Sequence, residues 1–276
     1  MTGNGSGNGS GNGSAKGSAP TGDRAMVRHA VAGGVARITL DRPPLNVINL
    51  DMLGELARAL ADVRGAANVH CVLLEGAGKS FCAGVDVADH TADRVERMLT
   101  LFHEVIGALL ALPVPVIGAV QGAALGGGME LALACDVVLA RDDAVLGQPQ
   151  IRLGVFPPAA AAILPALIGR QRALDLILSG RAVKAAEAQA MGLVSAIFAA
   201  DAFAKGVDDY VSRLASLSAP VLRLAKRAVT EGIGLGAGAA LANAERLYLE
   251  DLMALEDPRE GLEAWTQKRS PTWRNA

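Results

Sequence analysis

The chain has 276 residues, 51% of them hydrophobic and only 3% aromatic, with a formal charge of −2 at neutral pH. That is enough apolar chain for one sizeable core, and the near-neutral balance offers no broad attraction to phosphate backbones or anionic membranes. No nucleic-acid partner and no membrane partner are expected, and the scarcity of aromatics argues against a base-stacking surface. Three cysteines, Cys71, Cys82 and Cys135, form an odd set without framework spacing, as reduced thiols of a cytoplasmic protein would. The four histidines, His29, His70, His90 and His103, make no pair with His or Cys at zinc-site spacing, so no metal is expected.

In chain order, Met1 to Gly22 is a Gly-Asn-Gly-Ser repeat without an apolar stretch or charged leader. Residues 1–24 are therefore read as a disordered tail rather than a secretory signal. Val35 to Leu40 is an apolar β-rich run ended by Asp41-Arg42-Pro43-Pro44, which predicts a first strand. Asn49 or Asp51 can cap a helix whose Leu53, Leu56, Leu60 and Val63 share one face. Cys71 to Leu74, stopped by Glu75-Gly76-Ala77-Gly78, predicts a strand buried on both faces.

A loop from Lys79 to Asp86 leads to a helix around Ala92 to Ala111 and a third apolar run at Val114 to Val120. The stretch Ile106 to Val120 is shorter than the about 20 residues of a membrane span and is broken by Pro113 and Pro115. A glycine-rich turn then opens a helix at Met129 to Ala134, and Val137 to Ala140 is a fourth strand. Strand and helix alternate in units of roughly 40 residues, which defines an α/β class for residues 25–198. From about Ala199 only helical patterns remain, one starting at Ser218-Ala219-Pro220 and another over Leu241 to Met253, so 199–276 is read as a helical appendage.

The segment with most chemical content is Gln121-Gly122-Ala123-Ala124-Leu125-Gly126-Gly127-Gly128-Met129-Glu130-Leu131. Three successive glycines let a ligand approach the backbone, and their N–H groups at a helix start can hold negative charge. The turn lacks the Lys-Ser/Thr of a phosphate loop and the spacing of a dinucleotide fingerprint. Glu130 falls in the first helical turn, beside whatever those donors hold. A second segment, Phe81-Cys82-Ala83-Gly84-Val85-Asp86, can present another backbone N–H, and two such donors make an oxyanion hole for a thioester carbonyl. Leu146-Gly147-Gln148-Pro149-Gln150-Ile151-Arg152-Leu153-Gly154-Val155 returns the chain to the same region. Asp86 and Asp136 read first as turn and helix-end residues, and Arg152 and Arg181 as surface or ion-pair residues.

Together these segments resemble the crotonase superfamily of enoyl-CoA hydratases and isomerases, over Val31 to the C-terminus. The resemblance is carried by Asp41-Arg42-Pro43 with Asn46, the Phe81 to Asp86 loop, the Gly126 to Glu130 turn, Cys135-Asp136 and Gly147-Gln148-Pro149. Gly180-Arg181, Ala185-Glu187-Ala188 and Gly192-Leu193-Val194 extend it. It implies a spiral of β/β/α turns closed by a C-terminal helical trimerisation region, in trimers or paired trimers. It also implies an acyl-CoA substrate, with coenzyme A part of that substrate and no separate cofactor. The thioester oxygen is expected between the amides of Val85 and Gly127, with Ala83, Asp86, Gly126 and Pro158 at the substrate. Glu130 and Gln150 are the implied catalytic pair.

Gly154-Val155-Phe156-Pro157-Pro158-Ala159-Ala160, Leu247-Tyr248-Leu249-Glu250 and Lys268-Arg269-Ser270 look like the cyclohexa-1,5-diene-1-carbonyl-CoA hydratases of aromatic-acid degradation. Two departures from ordinary hydratases stand out. Gln150 occupies the place of a second glutamate, and Pro158 that of a glycine whose N–H helps hold water. Gln150 can orient water or a hydroxyl but cannot exchange a proton near neutral pH, so Glu130 must then handle the proton both ways. One carboxylate also suffices for double-bond isomerisation or for protonating an enolate after decarboxylation, and a non-catalytic acyl-CoA-binding protein is a further alternative.

Overall fold

The computed structural model describes Met1 and residues 25–276, so the expectation for the N-terminal tail lies outside the described residues. Two strands, β1 (Val27–Ala32) and β2 (Val35–Leu40), form a hairpin through Gly33 and Gly34, both at positive φ. Helix α1 (Leu50–Gly65) follows, with the Asn49 side chain accepting the Met52 N–H and Met52, Leu53, Leu56, Ala59, Leu60 and Val63 buried. Strand β3 (Cys71–Gly76), helix α2 (Val95–Leu110) and strand β4 (Val116–Val120) come next. The short β5 (Ala123–Leu125) leads into α3 (Gly127–Leu133), then β6 (Val137–Arg141) and β7 (Val145–Gly147). A 3-10 turn at Pro149–Leu153 precedes α4 (Pro158–Ile168), α5 (Arg170–Ser179), β8 (Ala182–Lys184), α6 (Ala185–Met191) and β9 (Ala196–Phe198).

The larger sheet runs β1-β2-β3-β4-β6-β9, parallel except for the β1–β2 hairpin. The smaller sheet, β5-β7-β8, pairs β5 with β7 in parallel and β7 with β8 antiparallel. This is the expected α/β architecture. Strand alternation divides β3 between two cores: Val72 and Leu74 join the main cluster, while Cys71 and Leu73 pack with Ile117, Leu139, Val207 and Val211 on the other face. The prediction of a strand buried on both faces therefore holds for Cys71 to Leu74.

Beyond residue 199 every described element is helical: α7 (Phe203–Ala215), α8 (Ala219–Gly232), α9 (Ala237–Arg246), a π-helical stretch at Leu247–Leu252, and α10 (Asp257–Gln267). Helix α7 covers the second core. Helix α8, capped by Ser218 as the sequence predicts, is tied to the sheet through Lys226, whose Nζ donates to Asp136 Oδ2 (2.6 Å) and to the Val114 carbonyl (3.1 Å).

Candidate functional site

The site is assembled where β5 runs into α3. On one flank β5 pairs with β7; on the other it bonds the loop after β3, with the Cys82 N–H donating to Ala123 O and the Leu125 N–H to Cys82 O, both at 3.0 Å. The same loop is held from outside by Ile48, whose N–H donates to Gly84 O (2.8 Å) and whose carbonyl accepts the Asp86 N–H (2.7 Å). Because neighbouring residues of an extended strand direct their amides to opposite sides, the Val85 N–H faces away from Ile48. Neither Val85 nor Gly127 donates its backbone N–H to a protein acceptor among the described residues.

Each glycine of the triplet meets a different neighbour. Gly126, at φ 52°, donates its N–H to Gly147 O (2.9 Å), and a Cβ on it would lie 3.2 Å from Gln150 Nε2. A Cβ on Gly127 would stand 2.6 Å from Val85 Cγ2 and 3.2 Å from the Phe102 ring. One on Gly128 would overlap the Cys82 carbonyl oxygen. The glycines therefore let three chain segments close on one turn, bringing Val85, Gly127 and Gln150 together around Gly126.

Glu130 rises from this turn, its N–H donating to Gly126 O at 3.0 Å. Its side chain is buried, and Oε1 accepts the Ala160 N–H at 2.9 Å, so the carboxylate meets the first turn of α4. Burial pushes its pKa above the ordinary glutamate range, and the amides of Ala160 and Ala159 offset this only in part. A carboxyl poised upward in this way, next to unengaged backbone donors, suits proton transfer to and from a bound substrate.

Pro158 is the first residue of α4, a position where the missing N–H costs no helical bond. Gln150 lies in the 3-10 turn, half-buried, with Oε1 enclosed and unbonded among the described residues. Ala83 donates its N–H to Leu45 O (3.0 Å). Asp86 is occupied structurally: Oδ1 accepts the Ala88 N–H (3.2 Å) and Oδ2 faces Arg42 (3.3 Å). Asp136 accepts Val116 N–H and Lys226, and Arg181 pairs with Asp175 and Glu187, matching their reading as structural residues. Burial lifts the Cys82 thiol to about 12, which excludes it as a nucleophile near neutral pH. Among the described residues no group of His, Cys, Asp or Glu could hold a metal, and no helix is long and apolar enough to cross a membrane.

Two participants escaped the sequence reading, and a third, Asn46, was legible there only as a motif residue without its role. The Ala160 N–H on Glu130 is set by how α4 docks, with Pro157-Pro158 the only local hint of a helix start. Phe102 reaches Gly127 from α2, which periodicity marks as core without naming its partner. Asn46 pins the loop after β3, its Nδ2 donating to the Ala77, Ser80 and Phe81 carbonyls within 3.1 Å.

Fold and turn together define an enzyme of the crotonase superfamily, and the profile of the enoyl-CoA hydratase/isomerase family matches residues 30–276, so the chain belongs to that family. Among its relatives, the cyclohexa-1,5-dienecarbonyl-CoA hydratase of Thauera aromatica is 39% identical over 243 residues, 88% of this chain and 94% of that protein. The Bacillus subtilis (strain 168) putative enoyl-CoA hydratase/isomerase YngF is 37% identical over 246 residues, 87% and 94% of the two chains. In three dimensions the crystal structure of an enoyl-CoA hydratase from Bacillus anthracis superposes with a TM-score of 0.87 at 34% identity, covering 91% of this chain and all of that one.

Proposed function

We propose that the chain is an acyl-CoA hydratase that adds water to an enoyl-CoA, with a cyclic dienoyl-CoA of the cyclohexa-1,5-diene-1-carbonyl type as its substrate. The observation that carries this is the buried carboxyl of Glu130, lifted in pKa and set directly beyond the Gly126–Gly127 turn. In this reading the thioester oxygen lies between the Val85 and Gly127 amides, with Ala83, Asp86, Gly126 and Pro158 bordering the substrate. Glu130 takes a proton from water as the new C–O bond forms, the electron pair of the double bond moves onto the thioester oxygen as an enolate, and the same proton returns to the α-carbon as the enolate collapses. Gln150 orients the water. No separate cofactor is needed, since coenzyme A arrives as part of the substrate.

The similarity to the Thauera hydratase supports the cyclic substrate, and Gln150 in place of a second acid supports a specialised rather than general hydratase. Gln150 also keeps one competing reading in view, an isomerase or decarboxylase that needs a single glutamate. Incubation with linear and cyclic enoyl-CoAs, followed by mass spectrometry, separates them. Gain of water supports hydration; an unchanged mass with a moved double bond, or loss of CO2 from a carboxyacyl-CoA, overturns it.

We further propose a homotrimer or a dimer of trimers, working in the cytoplasm. Helix α9 buries none of its residues within the chain, and Leu241, Leu249, Leu262 and Trp265 stay exposed on the C-terminal helices. Exposed apolar side chains of this size fit burial against further copies of the chain.

A further inference from the structure

Among the described residues, four buried side-chain nitrogen or oxygen atoms make no hydrogen bond, and three of them fall in one short segment: Gln148 Nε2, Gln148 Oε1 and Gln150 Oε1. The fourth, Arg223 Nε, belongs to a guanidinium already bonded through Nη2 to the Ala67 and Val69 carbonyls. Gln148 is completely buried. Leaving both ends of a buried amide unpaired is costly, whereas Leu or Met would fill a similar volume without that cost. A glutamine held there calls for a partner from outside the polypeptide.

Its position narrows what that partner does. Gln148 directly follows Gly147, whose carbonyl accepts the Gly126 N–H, and lies two residues beyond Leu146 of the main core. Gln150 is two residues further on, its Nε2 against Gly126. Two residues of chain span at most about 7 Å, and an amide side chain with two donors and an acceptor can share a water with its neighbour across such a gap. Internal waters typically make about three hydrogen bonds to otherwise unpaired polar groups, which these three atoms can supply.

We propose that Gln148 is a positioning residue: its amide holds an internal water that also hydrogen-bonds Gln150 Oε1, fixing the Gln150 amide beside the Gly126–Glu130 turn. The catalytic consequence rests on the hydratase reading above. Gln148 never touches substrate. It sets the orientation of the group that presents water to it, and so supplies on this side of the site part of the rigidity that a second ionised acid would otherwise provide.

The test pairs kinetics with crystallography on the full chain. Gln148→Met should fold with unchanged or higher melting temperature, keep KM for the hydrated enoyl-CoA within about twofold, and lower kcat about tenfold, the scale of one lost hydrogen bond. The pH profile should keep its shape, because Glu130 still carries the proton. A kcat within twofold of wild type overturns the proposal. Independently, a high-resolution crystal structure of the unaltered protein should show an ordered water shared by Gln148 and Gln150, lost in Gln148→Met. A side chain from a second copy bonded to the Gln148 amide, or no water there, overturns it. Should the wild type hydrate no enoyl-CoA, the hydratase reading falls, while the crystal structure still decides whether Gln148 holds the water.

Discussion

The Ala160 N–H at the start of α4 donates to Glu130 Oε1 at 2.9 Å, so the first turn of α4 holds the carboxyl that the glycine turn presents. Burial of the same carboxyl raises its pKa, and the amides of Ala160 and Ala159 oppose that rise without cancelling it. Glu130→Gln keeps an acceptor for Ala160 and removes the proton carrier. Turnover is expected to fall by about 10² or more while acyl-CoA binding persists. Near-normal turnover, measured beside a binding titration, would refute the assignment.

The raised pKa also sets a sign for stability. The folded state holds the Glu130 proton more tightly than the unfolded chain does. The penalty for ionising it is therefore absent below the ordinary glutamate pKa, grows as pH rises through the window up to the folded pKa, and is complete above it. Glu130→Gln removes that penalty, so the variant should melt higher than wild type at neutral pH, the difference closing as pH drops below the ordinary glutamate range. Melting curves across pH check this, and a variant less stable at neutral pH contradicts it.

Gly127→Ala should destabilise the fold by about 1–3 kcal/mol, since its methyl would press on Val85 and Phe102 in a packed site. Combining it with Val85→Ala relieves the nearer clash, so the double variant should recover part of the lost stability in urea unfolding. Gly128→Ala meets the Cys82 backbone instead, which no side-chain truncation can relieve, and is expected to cost more. Strict additivity of the Gly127 and Val85 changes would show that the two residues do not meet.

Lys226→Met tests how the C-terminal helices are fastened. The Lys226 side chain is 9% exposed and bonds Asp136 and Val114 O just ahead of the interior strands β6 and β4. Asp136 keeps the Val116 N–H after the change, so the loss should stay near 1–3 kcal/mol. A variant as stable as wild type in urea would mean that the Lys226 contacts add nothing to the hold that Arg223 and the apolar packing already give α8.

What the sequence disclosed follows the strength of its local signals. Asn49 and the leucine spacing of α1 are local, and that helix forms as read. The strands β5, β7, β8 and β9 have three residues each, too few for a period to emerge, and their partners lie far along the chain. Val114 precedes Pro115, and its strand begins only at Val116; α3 starts at Gly127 rather than Met129 because low glycine propensity hides a helix start that tertiary packing enforces. The helical pattern over Leu241 to Met253 is interrupted by the π-helical stretch at Leu247–Leu252, a change of winding that side-chain spacing does not report. At the site, motif residues such as Glu130 and Gln150 were visible, but backbone donors such as Ala160 N–H depend on how two helices meet.

Gln150→Glu asks whether the second acid is a loss or a specialisation. The Gln150 amide lies against Gly126, the residue whose carbonyl accepts the Glu130 N–H, so a carboxylate there would enter the same enclosed turn. Like charges at close range raise the pKa of one of the pair, and the two groups then titrate together. Were the site an ordinary hydratase lacking one group, restoring that carboxylate should accelerate hydration of crotonyl-CoA. Pro158 argues otherwise, because the start of α4 still lacks the amide that helps hold water in ordinary hydratases, and one acid cannot replace it. The expected result is a lower rate on a cyclic dienoyl-CoA, no gain on crotonyl-CoA, and an acidic limb of the pH profile moved upward. Rates of variant and wild type on both substrates decide it, and a gain on both would sink the specialised reading.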